Sequence, residues 1–441
     1  MHTLAGIRAQ GCYRSRPMPT VVLLGTLDTK GAEYDFVRER LVDLGCQVVV
    51  VDAGTMGQTR YPVDIGPDEV AAAAGFDRSA LAAAGDRGAA LTALSEGAMQ
   101  VVARLHAEGR LDGILALGGS GAASLGSAAM RALPVGVPKL IVSTMTAGDT
   151  RPYIGESDIA MLHPVVDISG INRISAAILG NAAAAIGGMA ADHARRMQDP
   201  LQDRRPLIAA TMFGVTTPCV TVARERLEDL GYEVLVFHAT GSGGRAMEAL
   251  IRSGSIDGVL DVTTTELADE IGGGVLSAGP DRLEAAGAAG IPQVVSVGAL
   301  DMINFGPLAT VPDRHRSRTL HVHNAGVTLM RTTPDENARL GRLIARKLNG
   351  ARGPVNVFLP TGGVSMIDAP GQPFHDPAAD RALFGALRAG LRPDIDVIDL
   401  PVNINDPLFG VAMADRLHEL MAASGTETAA TSSPAPTVAS T

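Results

Sequence analysis

The sequence predicts an α/β protein made of two related halves with mainly parallel sheets. Three observations carry this. Short apolar runs suited to doubly covered strands alternate with helical stretches along most of the chain. Val37-Arg38-Glu39-Arg40-Leu41-Val42-Asp43-Leu44-Gly45 recurs as Ala223-Arg224-Glu225-Arg226-Leu227-Glu228-Asp229-Leu230-Gly231, and two shorter matches follow in the same order. These are Leu111-Asp112-Gly113-Ile114-Leu115 with Ile256-Asp257-Gly258-Val259-Leu260, and Gly136-Val137-Pro138 with Gly290-Ile291-Pro292. Finally, strand ends run into glycine-rich turns. Alternation implies parallel pairing through right-handed crossovers, and an ordered recurrence implies two copies of one α/β half.

Taken in order, residues 1–19 read as a flexible leader. Residues 21–25 form an apolar strand ending in Thr26-Leu27-Asp28-Thr29-Lys30-Gly31. The next helix places Phe36, Val37, Leu41 and Leu44 on one face, stops at Gly45 and returns to a strand at 48–52. The turn is not a phosphate-binding Walker loop, because Lys30 precedes a glycine and the glycine spacing is wrong. Residues 55–97, with Pro62, Pro67 and Ala-rich pieces, read as an insertion, either covering the mouth of the sheet or making a surface excursion.

A helix at 98–108 leads to a strand at 113–117 and the loop Gly118-Gly119-Ser120-Gly121. A small-residue helix, a strand at 139–143 and a polar loop through Ser143, Thr144, Asp149 and Thr150 follow. After an apolar segment at 165–168 comes an Ala/Gly helix at 171–191, then the charged stretch 192–205, the best linker candidate. The halves are thus 20–198 and 199–423. In the second, strand ends carry Thr211 to Cys219, then His238 to Gly244, then Thr263-Thr264-Thr265-Glu266, then Asp301. Residues 424–441 are a Thr/Ala/Ser/Pro tail expected to be disordered.

Composition narrows the functions. The chain has 441 residues, enough for two or three cores, with 46% hydrophobic and 19% charged residues. A net charge of −10 and the absence of Trp argue against nucleic acid as a partner. Cys12, Cys46 and Cys219 lack metal or disulfide spacing, so a reducing cytoplasm is expected. The leader has no apolar core of a secretory signal. The uncharged stretches 113–130 and 174–191 are too rich in Gly, Ala and Ser for membrane spans and are expected as buried helices.

Two glycine loops, 118–121 and 241–244, can bring backbone N–H groups to a phosphate at a helix N-terminus. Asp28 can hold magnesium through water and Lys30 can neutralise phosphate. Asp52 stands where a dinucleotide fold reads a ribose hydroxyl, but the glycine loop follows the third strand instead of the first, against a standard NAD site. His321 and His323, two apart, would share a strand face, with Asp301, His375 or Asp406 to complete a metal site; a structural or surface pair is the other reading, and no metal site is assigned. Cys219 near a helix start could have a lowered pKa or be a buried inert thiol.

Together, several motifs resemble the Tm-one-like ATP-binding protein family, known from the N-terminal region of the tomato mosaic virus resistance protein and from uncharacterised bacterial proteins. They are Gly25-Thr26-Leu27-Asp28-Thr29-Lys30-Gly31, Ala116-Leu117-Gly118-Gly119-Ser120-Gly121, Val142-Ser143-Thr144-Met145, Gly148-Asp149-Thr150-Arg151-Pro152-Tyr153, Thr211-Met212-Phe213-Gly214-Val215-Thr216-Thr217-Pro218, His321-Val322-His323-Asn324 and Thr328-Leu329-Met330-Arg331-Thr332-Thr333. Ala122-Ala123 and Thr146 depart from the pattern. The resemblance implies two Rossmann-like domains, ATP bound by the first, a homodimer, and a separately encoded barrel-domain partner replacing one the plant relatives carry.

The leading expectation is a cytoplasmic ATP-binding protein, with magnesium. Thr26, Asp28 and Lys30 stand near the phosphates, Gly118, Gly119, Ser120 and Gly121 form the cradle, and Ser143, Thr144, Asp149 and Thr150 line the site. A second reading is a small-molecule metabolic enzyme using Thr216, His238, Glu266, His321, His323 and Asp406 between the halves, with ATP as substrate or regulator. A noncatalytic scaffold is the third.

Overall fold

The computed structural model describes residues 18–54, 57, 60–84, 86–198 and 205–431. The chain divides into two compact units, Met1–Gln202 and Asp203–Thr441, and the division falls within the charged stretch expected as a linker.

The first unit contains β1 (Thr20–Gly25), α1 (Leu27–Asp43), β2 (Gln47–Asp52), α2 (Pro67–Ala73), α3 (Arg78–Ala84), α4 (Arg87–Ala107), β3 (Gly113–Gly118), α5 (Ser120–Arg131), β4 (Lys139–Ser143), α6 (Arg151–Ile154), β5 (Ala160–Leu162) and α7 (Arg173–Gln198). Its strands form one parallel sheet in the order β2-β1-β3-β4-β5. Alternation sorts the side chains. Val22, Leu24, Ile114, Ala116 and Ile141 face α2, α4 and α5, while Val21, Leu23, Leu115, Leu117 and Val142 face α1 and α7. Burial on both faces explains why these strands read as continuous apolar runs.

The segment expected as an insertion is part of this core. Ile65, Val70, Ala71 and Leu94 are buried with the sheet residues, and α4 starts at Arg87, earlier than expected, because Asp86 caps it through the N–H groups of Gly88 and Ala89. Gly97 is no helix start but a packing requirement: a Cβ there would lie 1.8 Å from the Val70 carbonyl oxygen. The apolar segment at 165–168 forms no strand, and the short edge strand is β5. The stretch 113–130 comprises a strand as well as a helix. The other uncharged stretch lies in α7, the one described helix long and apolar enough to cross a membrane, of whose most apolar window only 39% is buried. The leader lies outside the described residues up to position 17.

The second unit contains β6 (Leu207–Met212), α8 (Thr217–Asp229), β7 (Glu233–His238), α9 (Ser242–Arg252), β8 (Gly258–Thr263), α10 (Glu266–Gly272), α11 (Ala285–Ala289), β9 (Gln293–Gly298), β10 (Met302–Phe305), β11 (Leu320–Asn324), β12 (Val327–Arg331), α12 (Pro334–Asn349), β13 (Val355–Pro360), α13 (Pro377–Gly390), β14 (Asp396–Leu400) and α14 (Pro407–Thr431). Its parallel sheet runs β14-β13-β9-β8-β6-β7. Read from β7, this is the order of the first sheet with one strand added, so the recurring sequences correspond to a recurring Rossmann-like topology. An antiparallel sheet, β10-β12-β11, lies between β9 and β13 in the chain. Helix α14 continues past Ser424, where order was expected to end, to Thr431. Residues 432–441 lie outside the described residues.

Candidate functional site

In the first sheet the strand order reverses between β1 and β3, and ligands of open α/β sheets bind outside the carboxyl ends of strands at such a point. Parallel pairing puts the ends of β1, β3 and β4 side by side, with Gly118 opposite Ser143. Thr26, Asp28, Gly118, Gly119, Ser120, Gly121, Ser143 and Thr144 are therefore brought to one edge.

Tyr34 props this edge open. Pairing of β1 with β3 runs to Leu23 and Leu115; beyond it, the buried Tyr34 hydroxyl donates to the Leu24 carbonyl (2.6 Å) and accepts from the Leu117 N–H (2.9 Å). Burial pushes this hydroxyl well above the ordinary tyrosine range. Gly25 has to be glycine, since a Cβ would stand 2.0 Å from the Tyr34 oxygen.

The cradle itself is open. Gly118 takes φ of +142°, a conformation that favours glycine, and Gly119 is the N-cap of α5, which no side chain caps. A Cβ on Gly119 would meet nothing within 4 Å. The start of α5 thus offers an uncapped helix N-terminus with space in front of it.

The start of α1 differs, because Asp52 already caps it. Its Oδ1 accepts from the N–H groups of Leu27 (2.9 Å) and Gly54 (2.9 Å), while Oδ2, fully buried, has no partner among the described residues. Burial raises the Asp52 pKa, the two N–H donors oppose this, nearby Asp28 adds to it and Arg78 of α3 lowers it. Turned inward, Asp52 reads no ribose.

Lys30 has non-helical angles, kinks α1 and donates to the Ile168 carbonyl instead of pointing at the cradle. Glu33 fixes the same loop by accepting from the Gly170 N–H (2.6 Å). A cleft of about 400 Å³ lies here, lined by Asp28, Thr29, Lys30, Arg60, Tyr61 and Ser169 among others. The Thr26 and Thr29 hydroxyls are 3.1 Å apart. Ser143 is buried and accepts from the Met145 N–H (3.2 Å), capping a turn that contains half-buried Thr144. Exposed Asp149 closes on Arg151, whose guanidinium holds its pKa at about 2, and Thr150 stands at the N-cap position of α6 without a side-chain capping bond.

The corresponding edge of the second unit is filled by the protein. Glu266 is fully buried, and its Oε1 accepts from the Gly241 N–H (2.7 Å) and the Gly244 N–H (3.0 Å). Its carboxylate therefore occupies the second glycine loop, which leaves no cradle for phosphate. Arg282, also fully buried, binds Glu266 (2.7 Å) and forks onto Asp261 (2.5 and 2.7 Å). Thr216 is buried, bonded to the Thr263 hydroxyl (2.7 Å). Glu266 and Thr216, expected as catalytic candidates, are committed to the core.

Asp406 caps α14 by accepting from the Leu408 N–H (2.9 Å). Exposed His238 stacks on Phe213 with ring centroids 5.6 Å apart. His321 packs edge-on against Phe374, whereas His323 is exposed at a register shift of β11 that breaks the two-residue alternation. Among the described residues no group of three or more His, Cys, Asp or Glu is placed to hold a metal ion. Burial pushes the Cys219 thiol up to about 12, opposite to activation. Deeper in this unit, Asp301, Asp368 and Asp380 surround the single guanidinium of Arg331; burial and mutual repulsion raise the pKa values of Asp301 and Asp380.

Sequence reasoning missed Tyr34 and Arg78. No local pattern marks either, since their roles depend on chain segments distant in sequence.

Comparison with known proteins places the chain. Family models described as the uncharacterised protein family UPF0261 match residues 19–195 (N-terminal domain) and 205–421 (C-terminal domain). A UPF0261 protein of Clostridium tetani is 51% identical over 402 residues, covering 91% of this chain and 98% of that protein. The tomato (Solanum lycopersicum) ToMV resistance protein Tm-1(GCR237) is 42% identical over 420 residues, covering 91% of this chain but 56% of that longer protein. Among solved structures, a UDP-N-acetylglucosamine 2-epimerase from Rickettsia bellii aligns over 63% of this chain and 78% of its own, with 11% identity and a TM-score of 0.22, too weak a likeness to carry an argument.

Proposed function

The chain belongs to the UPF0261 family, and we propose that it is a nucleotide-binding protein that takes ATP with magnesium at the strand-order reversal of its N-terminal unit. One observation carries the reading: α5 begins behind Gly118 and Gly119 with no capping side chain and free space at Gly119, while the second glycine loop is filled by Glu266. A helix N-terminus left uncapped beside a reversal point suits a phosphate. Thr26, Ser120, Gly121, Ser143 and Thr144 stand at the same edge, and Asp28 is the carboxylate nearest to serve a cation. Lys30 and Asp149 serve only if their present contacts open, and Thr150 follows Asp149 in the same loop. On the same reading the protein is cytoplasmic and homodimeric and works beside a separately encoded barrel-domain partner, as the family resemblance implies.

Isothermal titration with ATP and magnesium tests this. The wild type should show saturable heat, and Gly119→Val should lose about tenfold or more in affinity while losing only about 1 kcal/mol of stability as a weaker N-cap, because a Cβ at this position meets no protein atom within 4 Å. No heat with the wild type, or equal affinity in the variant, removes the reading.

A further inference from the structure

We propose that Asp52 and Asp28 together form a divalent-cation site that the nucleotide completes, an inference that rests on the nucleotide reading above. Asp52 has no exposed surface. One of its oxygens accepts from the Leu27 and Gly54 N–H groups, and the other has no partner among the described residues. Leaving a buried carboxylate oxygen without a donor is costly, so an acid at this position points to a positive partner that arrives with the ligand.

The second carboxylate is at hand. Asp28 packs on Gly54, the residue whose N–H holds Asp52; a Cβ on Gly54 would lie 2.9 Å from the Asp28 carboxyl carbon. The close approach of the two acids thus depends on glycine. Two carboxylates in one corner repel each other, and a dication between them relieves that repulsion. Of the other charged groups around this corner, Arg78 acts on Asp52 through its charge while its guanidinium bonds to other groups, and the rest are engaged. Arg78 donates to the Gly57 carbonyl (2.6 Å) and faces Asp68 (3.4 Å), Lys30 is held by Ile168, Glu33 by Gly170, and Arg60 lies over the Tyr61 ring.

Two carboxylates are too few for a dedicated metal cage, in keeping with the absence of any larger ligand group among the described residues. They match what magnesium uses when phosphate oxygens and water complete its shell. The acids stand at the ends of β1 and β2, and the cradle at the end of the neighbouring β3, so a cation here would face a phosphate on α5.

The test is titration of ATP into wild type and Asp52→Asn, each with magnesium and with EDTA. The asparagine oxygen still accepts from Leu27 and Gly54, so α1 keeps its cap. Magnesium should tighten ATP binding about tenfold or more in the wild type and less than about twofold in the variant. In EDTA the variant should bind ATP at least as tightly as the wild type, because one negative charge near the phosphates is gone; a merely structural role for Asp52 would weaken both conditions alike. Manganese with ATP should give a protein-perturbed paramagnetic resonance spectrum in the wild type and lose it in the variant. If Asp52→Asn does not fold, Asp28→Asn carries the same measurements. Equal magnesium enhancement in both proteins overturns the cation site and leaves nucleotide binding standing, whereas no ATP binding under any condition removes both.

Discussion

Residues 118–121 and 241–244 are both glycine-rich turns between a parallel strand and a helix, and they have opposite occupants. The second surrounds the Glu266 carboxylate, which Arg282 neutralises from within the core. At the first, no side chain among the described residues caps α5, and a Cβ on Gly119 would meet no atom within 4 Å. The difference teaches that a glycine loop before a helix specifies an anion and not a ligand. Where a carboxylate of the chain can reach the loop, the anion is internal and the loop becomes part of the core. A cradle is a site candidate only when the fold leaves it unfilled.

The comparison breaks most sharply at Arg282. Arg282→Met leaves Asp261, Glu248 and Glu266 buried without their cation and should destabilise the second unit by about 3–5 kcal/mol in urea denaturation, with the first unit unaffected. A loss below about 1 kcal/mol would mean that Glu266 does not need its partner, and the filled-cradle account would fail.

The glycines themselves give the next effect. Gly244→Ala places a Cβ 2.2 Å from a Glu266 oxygen and should cost about 1–3 kcal/mol, while Gly119→Ala, in open space, should cost no more than about 1 kcal/mol through its weaker N-cap. Thermal melts of the two variants decide this; equal losses would erase the distinction between the loops.

Tyr34→Phe probes the open edge directly. It leaves the Leu24 carbonyl and Leu117 N–H without their bridge and should cost about 1–2 kcal/mol, with faster hydrogen exchange at Leu117 as the local readout.

The last effect is a pH dependence of the filled side. Burial, with the Glu266 charge adding, raises the Asp269 pKa to about 7, against the opposing hydrogen bonds from Asn304. The folded state then holds a proton that the unfolded state has released, so this contribution is present below the ordinary carboxylate pKa and is lost as pH rises through about 7. Asp269→Asn should flatten the melting temperature of the second unit between pH 4 and 7 by about a few degrees relative to wild type. An identical pH profile in the variant would put the proton elsewhere.

Much of the fold was legible because its signals are local. Both sheets are covered on two faces, so their strands appear as apolar runs, and the repeated Asp-Gly-apolar-Leu stretches marked β3 and β8. The site was legible in part. The cradle at Gly118 to Gly121 and its neighbours Thr26, Asp28 and Ser143 meet at one edge, as strand order requires. Lys30 and Asp149 take partners that the sequence does not show, the Ile168 carbonyl and Arg151, since a flexible charged side chain takes whatever carbonyl or counter-ion its fold offers. Glu266 looked catalytic because it follows a strand end in a run of threonines, and nothing nearby in sequence marks Arg282 as its partner.

By itself the sequence determined the alternation of strands and helices, the duplication, and which turns can surround an anion, because periodicity and glycine act within a few residues. Only the tertiary structure decided which of those turns is already occupied. That depends on whether a charged side chain from a distant strand end can reach it and be neutralised there, as Glu266 and Arg282 do in one unit and no pair does at Gly119 in the other.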